Sequence, residues 1–132
     1  MVGSPTLLIT DDDRDLRETL GDVFRQRGLR TLLAADGQEA LRVVQTAEVH
    51  LLLIDHHMPR LTGMEAIERI QRLRLRLPCI LMSGQLDEEL RRRAQAVEVL
   101  SKPVSFAEVT QTVAAALRST YNWPPGWWNQ RH

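Results

Sequence analysis

The stretch Leu51-Leu52-Leu53-Ile54-Asp55-His56-His57-Met58-Pro59 constrains this chain more than any other. Four apolar residues in a row fit a strand buried on both faces, as in the middle of a parallel sheet. The run ends on a carboxylate, which puts Asp55 at the rim of the sheet with its side chain just outside the core. Pro59 then stops the regular structure, because it has no N–H and biases Met58 away from the helical region. Taken alone, an Asp at such a place merely caps a loop. Three other stretches give it company.

In chain order, Thr6 to Thr10 reads as a short buried strand that runs into Asp11-Asp12-Asp13. Leu16, Leu20, Val23 and Phe24 then recur at helical spacing, and Gly28 is a natural helix stop. Residues 30–34 make a second strand. Asp36 can cap a helix carrying Ala40, Leu41 and Val44 on one face. After the strand that ends at Asp55 and the loop His56 to Thr62, Met64, Ile67, Ile70 and Leu73 mark a third helix. Cys79 to Met82 is a fourth strand ending on Ser83-Gly84. Leu86, Leu90 and Ala94 mark a fourth helix, with Asp87, Glu88 and Glu89 in its first turn and Arg91, Arg92 and Arg93 in its last. That order complements the helix dipole and allows Glu88–Arg92 and Glu89–Arg93 pairs. Val97 to Leu100 is a fifth strand, ending at Ser101-Lys102-Pro103. Ser105 and Glu108 form a capping box for a last helix along Val109, Val113, Ala116 and Leu117. Five strands alternating with five helices predict an α/β fold, a doubly wound parallel sheet in the order 2-1-3-4-5. We expect one domain over 1–118 and an aromatic-rich tail over 119–132.

Composition narrows the function classes. There are 17 basic and 17 acidic residues, so the formal net charge is zero. That balance argues against direct nucleic-acid binding. No apolar run reaches membrane-spanning length and no signal peptide opens the chain, so a soluble, cytoplasmic protein without a membrane partner is expected. The lone Cys79 rules out an internal disulfide and a cysteine-based zinc site. Of the 17 basic residues, Lys102 is the one lysine.

In a parallel sheet, groups at the carboxyl ends of the strands converge near the switch point. Here they are Asp11 and Asp12, Asp55, Ser83 and Lys102. Three clustered carboxylates repel one another unless a cation joins them. Hard oxygen donors suit Mg²⁺. Three carboxylates, one divalent cation and one Lys sum to zero charge. An incoming phosphoryl group would meet metal, ammonium and hydroxyl, the parts that phosphoryl transfer needs. A carboxylate can act as the nucleophile, forming an aspartyl phosphate, and Asp55 is best placed because it stands alone on the central strand.

With these pieces the sequence resembles the receiver domain of two-component response regulators, a flavodoxin-like, CheY-like fold, over about residues 6–118. The matching residues are Asp11-Asp12, Asp55 with Met58-Pro59 and Gly63, Ser83-Gly84, and Lys102-Pro103. The resemblance implies that Asp55 accepts a phosphoryl group from the phosphohistidine of a histidine kinase or histidine phosphotransfer protein. It implies a Mg²⁺ site made by Asp11, Asp12, Asp55 and the backbone carbonyl of His57. Lys102 would contact the phosphoryl group, Ser83 would swing toward it, and the small Gly84 would leave room for it. A protein of this kind is a phosphoacceptor, with self-catalysed phosphorylation and dephosphorylation as its only chemistry. The face of helix four, strand five and helix five would meet a downstream protein, with Glu88, Arg91 and Arg92 as contacts.

Val99 departs from the family, which carries an aromatic residue three places before the Lys. We therefore expect phosphorylation to move the loop after Ser83 and the start of helix four while strand five stays nearly still. We expect a cis Lys102–Pro103 bond, because the chain must turn sharply to aim Lys102 at Asp55 and X–Pro bonds adopt cis at a cost of only about 0.5–1 kcal/mol. His57 is expected to affect how long the phosphoryl group survives. The segment from Tyr121 to Trp128 is expected to dock on a surface, since it holds all three Trp and the one Tyr. Two other readings use the same residues: a receiver-like interaction module without phosphorylation, and a haloacid-dehalogenase-type phosphatase. The latter lacks its paired acids after Lys102 and has no room for a cap.

Overall fold

The computed structural model describes residues 3–74 and 76–123. The strands are β1 (Thr6–Thr10), β2 (Arg30–Ala34), β3 (Leu51–Asp55), β4 (Cys79–Ser83) and β5 (Glu98–Ser101). They alternate with α1 (Arg14–Gln26), α2 (Gly37–Thr46), α3 (Gly63–Leu73), α4 (Glu88–Arg93) and α5 (Phe106–Tyr121). All strand pairs are parallel, in the order β2-β1-β3-β4-β5, as the pattern predicts.

The central strand is fully sequestered: Leu51 to Ile54 are each 0% exposed. Burying one such side chain is worth about 1.5–3 kcal/mol, so an uninterrupted apolar run is stable only between two helical layers. Alternate strand residues feed the two layers. Leu8, Leu52, Ile54 and Leu81 pack with α2, α3 and α4 through Val44, Ile67, Ile70 and Leu90. Leu7, Ile9, Leu53 and Met82 pack with α1 and α5 through Phe24, Val113 and Leu117.

Local signals set the helix boundaries. Asp13 caps α1 by accepting from the backbone of Asp15 and Leu16, and Asp36 caps α2 by accepting from Glu39 N. Gly28, just past α1, has φ +91°, a conformation that favours glycine. The capping box at Ser105 and Glu108 is present. A second one, Thr62 with Glu65, opens α3 and was not anticipated. The Lys102–Pro103 bond is cis, as expected.

Two expectations differ from what forms. The ion pair of Arg93 reaches across to Glu68 on α3, with Nη2–Oε1 2.6 Å and Nε–Oε2 3.1 Å, rather than along its own helix to Glu89. A bidentate fork holds two elements together, whereas α4 has only six residues on which to pair. Second, α5 continues to Tyr121, beyond the domain edge read at 118. Tyr121 Oη donates to the His50 carbonyl at 2.6 Å, and Trp123 is buried at 7% exposure against the α1–α5 layer. The first part of the aromatic segment thus docks on its own domain. Residues 124–132, with Trp127 and Trp128, lie outside the described residues. No described helix is long and apolar enough to cross a membrane.

Candidate functional site

The sheet register brings the expected residues to one edge. Thr10 pairs with Ile54, so the next residues, Asp11 and Asp55, stand side by side. Met82 pairs with Asp55 and Ser83 with Ser101, so Ser83 and Lys102 follow on the other side. Lys102 N donates to the Ser83 carbonyl at 2.8 Å, which carries the ladder one residue past β5 and fixes where the Lys side chain starts.

Carboxylate oxygens of Asp11, Asp12 and Asp55 lie within 4.8 Å of one another. Asp11 and Asp55 are buried and Asp12 is exposed. Lys102 Nζ stands 2.9 Å from Asp55 Oδ1 and 3.6 Å from Asp11 Oδ2. Both carboxylate oxygens are buried, with the Lys102 ammonium as their ion-pair partner. Burial, joined by the nearby Asp55 charge, raises the pKa of Asp11, against the pull of the hydrogen bond from Asp13 N. Burial alone would lower the pKa of Lys102, but the paired Asp55 and Asp11 outweigh it and the net shift is upward. One Lys faces three acids, so the site keeps a negative excess.

This donor set fits a hard divalent cation. Three carboxylates within 4.8 Å repel one another, and one Lys balances only one of their charges, so a further cation is favoured there.

The loop after β3 is held close to these groups. Gly63 N donates to the His56 carbonyl at 3.0 Å. A Cβ at residue 63 would overlap the Asp55 carbonyl oxygen and crowd His56 Cα, so only Gly permits this approach. At Gly84 a Cβ would meet nothing within 4 Å, leaving open space beside the site. Ser83 is buried, and its Oγ donates to the Gln85 carbonyl at 2.7 Å. Val99 is half-buried on the α4 side of β5.

Three further neighbours stand around the site; a part for His57 was expected there, whereas the contacts of Arg17 and His56 were not. Arg17 Nη1 donates to the Asp11 carbonyl at 2.7 Å; its place one turn into α1 is the sole hint the sequence offers. His56 Nδ1 accepts from Met64 N at 3.3 Å, in the first turn of α3. Burial, with the neighbouring His57, holds the His56 pKa down. The His57 ring, Nε2 3.3 Å from Ser83 Oγ, meets the hydroxyl directly.

The sequence matches the response regulator receiver domain family over residues 7–114. It is 35% identical to the transcriptional activator protein PfeR of Pseudomonas aeruginosa over 120 residues, covering 89% of this chain and 39% of that protein. The receiver domain of the Francisella response regulator 1452 superimposes with a TM-score of 0.80 at 27% identity, covering 89% of this chain and 99% of that one. The response regulator protein TrrA of Thermotoga maritima, solved in complex with Mg(2+)-BeF, gives a TM-score of 0.76 at 25% identity, covering 86% and 99%. The chain belongs to the response regulator receiver domain family, and is a receiver domain of two-component signalling. Such domains are phosphoacceptors rather than enzymes. The chain spans about half the length of the curated relatives it matches, at 54%, 39% and 50% of the first three.

Proposed function

We propose that Asp55 is the phosphoacceptor of this receiver and that Asp11, Asp12, Asp55 and the His57 carbonyl hold Mg²⁺. The observation that carries the reading is the cluster of Asp11, Asp12 and Asp55, with carboxylate oxygens within 4.8 Å of one another and Lys102 in ion-pair range of Asp55 and Asp11. Three carboxylates gathered around one Lys are costly for a purely structural purpose and are favoured where a further cation joins them. The Mg²⁺ would supply charge neutralisation for the phosphoryl oxygens. The Asp55 carboxylate attacks phosphorus as the bond to the donor's imidazole nitrogen breaks, and the electron pair leaves with that nitrogen. Lys102, already in ion-pair range of Asp55, meets the phosphoryl oxygens as charge builds on them. Ser83 turns its hydroxyl to the product.

The donor is the phosphohistidine of a histidine kinase or phosphotransfer protein, and a small phosphodonor can replace it because the groups that promote transfer belong to this chain. Loss of the phosphoryl group is self-catalysed too. The setting is cytoplasmic, and the output is a downstream protein bound on the face of α4, β5 and α5. Arg91, Arg92 and Glu88 are all exposed there. Val99 has no long lever, so the change falls on the loop after Ser83 and on the start of α4.

Incubation with acetyl phosphate, with and without Mg²⁺, followed by intact mass, tests this. One phosphoryl adduct is expected, dependent on Mg²⁺ and absent in Asp55→Asn. Labelling of that variant at the wild-type rate would sink the assignment.

A further inference from the structure

Ser83 Oγ has three neighbours, and together they define what its hydroxyl is doing. It lies 2.7 Å from the Gln85 carbonyl, 3.2 Å from Gln85 N and 3.3 Å from His57 Nε2. A hydroxyl has one hydrogen and two lone pairs. The shortest contact takes the hydrogen, because the Gln85 carbonyl can only accept. Gln85 N–H takes one lone pair. The remaining one suits a donor, so Nε2 of His57 carries hydrogen. That condition holds for the Nε2–H tautomer and for the imidazolium alike. The hydroxyl is thus saturated in an arrangement that points its hydrogen at its own loop.

We propose that the His57 side chain is a positioning residue for the phosphoryl switch, holding Ser83 Oγ in the loop-bonded arrangement and setting how readily the hydroxyl turns to the phosphoryl group. The proposal rests on the phosphoacceptor reading given above. Turning Ser83 breaks its bond to the Gln85 carbonyl and gives up the N–H groups of Gln85 and His57, and only the last of these depends on a side chain. His57 reaches Ser83 across two elements, 26 residues apart in sequence, from the loop after β3 to the end of β4. The ring is exposed, so once released its N–H is satisfied by water, and only the loop-bonded state gains from the contact.

Beryllofluoride with saturating Mg²⁺ is the probe, titrated against the full chain by fluorine NMR. His57→Leu removes the donor, whereas His57→Gln keeps an N–H at similar reach; both are made with Ser83 present and with Ser83→Ala. With Ser83 present, His57→Leu should bind beryllofluoride about fivefold more tightly, the equivalent of one ordinary hydrogen bond. His57→Gln should return to near the wild-type value. In the Ser83→Ala background, His57→Leu should change nothing. Equal effects in the two backgrounds, or none with Ser83 present, overturn the positioning role. A second measurement needs no phosphoryl mimic: the χ1 couplings of Ser83 in the unmodified protein should indicate one dominant rotamer in the wild type and averaging in His57→Leu. If beryllofluoride fails to bind the wild type, the phosphoacceptor reading falls. The rotamer measurement still decides whether His57 holds the hydroxyl, and unchanged couplings overturn that claim.

Discussion

The two ends of the sheet both bury polar groups, and they treat them in opposite ways. At the amino end His50 is 7% exposed, yet its groups are matched. Thr6 N donates to His50 Nδ1 at 2.8 Å, His50 N donates to the Thr6 carbonyl at 2.9 Å, and Tyr121 Oη donates to the His50 carbonyl. The His50 ring also packs edge-on against Tyr121 and Trp123, with centroids 5.5 and 6.3 Å away. At the carboxyl end Asp11 and Asp55 are as deeply buried, but with Asp12 they set three carboxylates against one Lys. A polar group buried and matched contributes to stability; like charges gathered around a single counter-charge detract from it. The amino end is therefore built to hold the fold, and the carboxyl end to hold something else. Changes at the first should alter stability and spare phosphorylation, and changes at the second should do the reverse.

The largest effect on phosphorylation is expected from Asp12→Ala. Asp12 is exposed, so folding should tolerate the change, while Mg²⁺ affinity and labelling by acetyl phosphate fall together by at least about tenfold, equivalent to about 1.4 kcal/mol. Magnetic or calorimetric titration with Mg²⁺ beside a labelling time course checks this, and an unchanged titration would break the division between the two ends.

Gly63→Ala should come next. Its Cβ meets backbone rather than a side chain that could move, so the loop has to shift, at a cost of roughly 2–3 kcal/mol in urea unfolding. Labelling should slow as well, because the displaced group is the Asp55 carbonyl. This variant sharpens the comparison by showing that the carboxyl end contains a structural support beneath its functional groups.

Tyr121→Phe removes one buried hydrogen bond at the amino end and should cost about 1 kcal/mol of stability with labelling at the wild-type rate. Slower labelling would show that the two ends are coupled through β3.

The smallest effect is a pH dependence. Burial lowers the pKa of His50; Glu48, 3.9 Å away, opposes this, and Arg74 and Arg30 add to it. A lowered folded value means that the unfolded chain binds the proton more readily. The contribution is complete above the unfolded value of about 6.5 and is lost as pH falls through the folded one. His56 has the same sign. Urea midpoints should therefore drop between neutral and mildly acidic pH, and His50→Gln should flatten that drop in part.

How much of this was legible beforehand follows from the range of each signal. Leu51 to Ile54 announce a central strand because burial on both faces needs no information from elsewhere in the chain. Asp11, Asp55, Ser83 and Lys102 could be placed together because a parallel sheet sends every strand's carboxyl end to the same edge. Caps at Asp36 and Ser105 are local and were read directly. Contacts that depend on which helix lies beside which were not legible. Arg93 had Glu89 at the right spacing, yet it pairs with Glu68 on another helix. Tyr121 bonds to a carbonyl 71 residues away, and the polar run Arg118-Ser119-Thr120 before it looks like the end of a domain. The meeting of His57 with Ser83 depends on how the loop after β3 folds back over β4, which Gly63 permits but does not reveal.

The most direct test of the central claim is to locate the phosphoryl group itself. Wild-type protein labelled by acetyl phosphate with Mg²⁺ can be trapped by borohydride reduction of the acyl phosphate and mapped by peptide mass spectrometry. The account predicts a single trapped residue, Asp55, with Asp11 and Asp12 unmodified. Trapping at Asp11 or Asp12, or recovery of the phosphoryl group on a histidine, would contradict it.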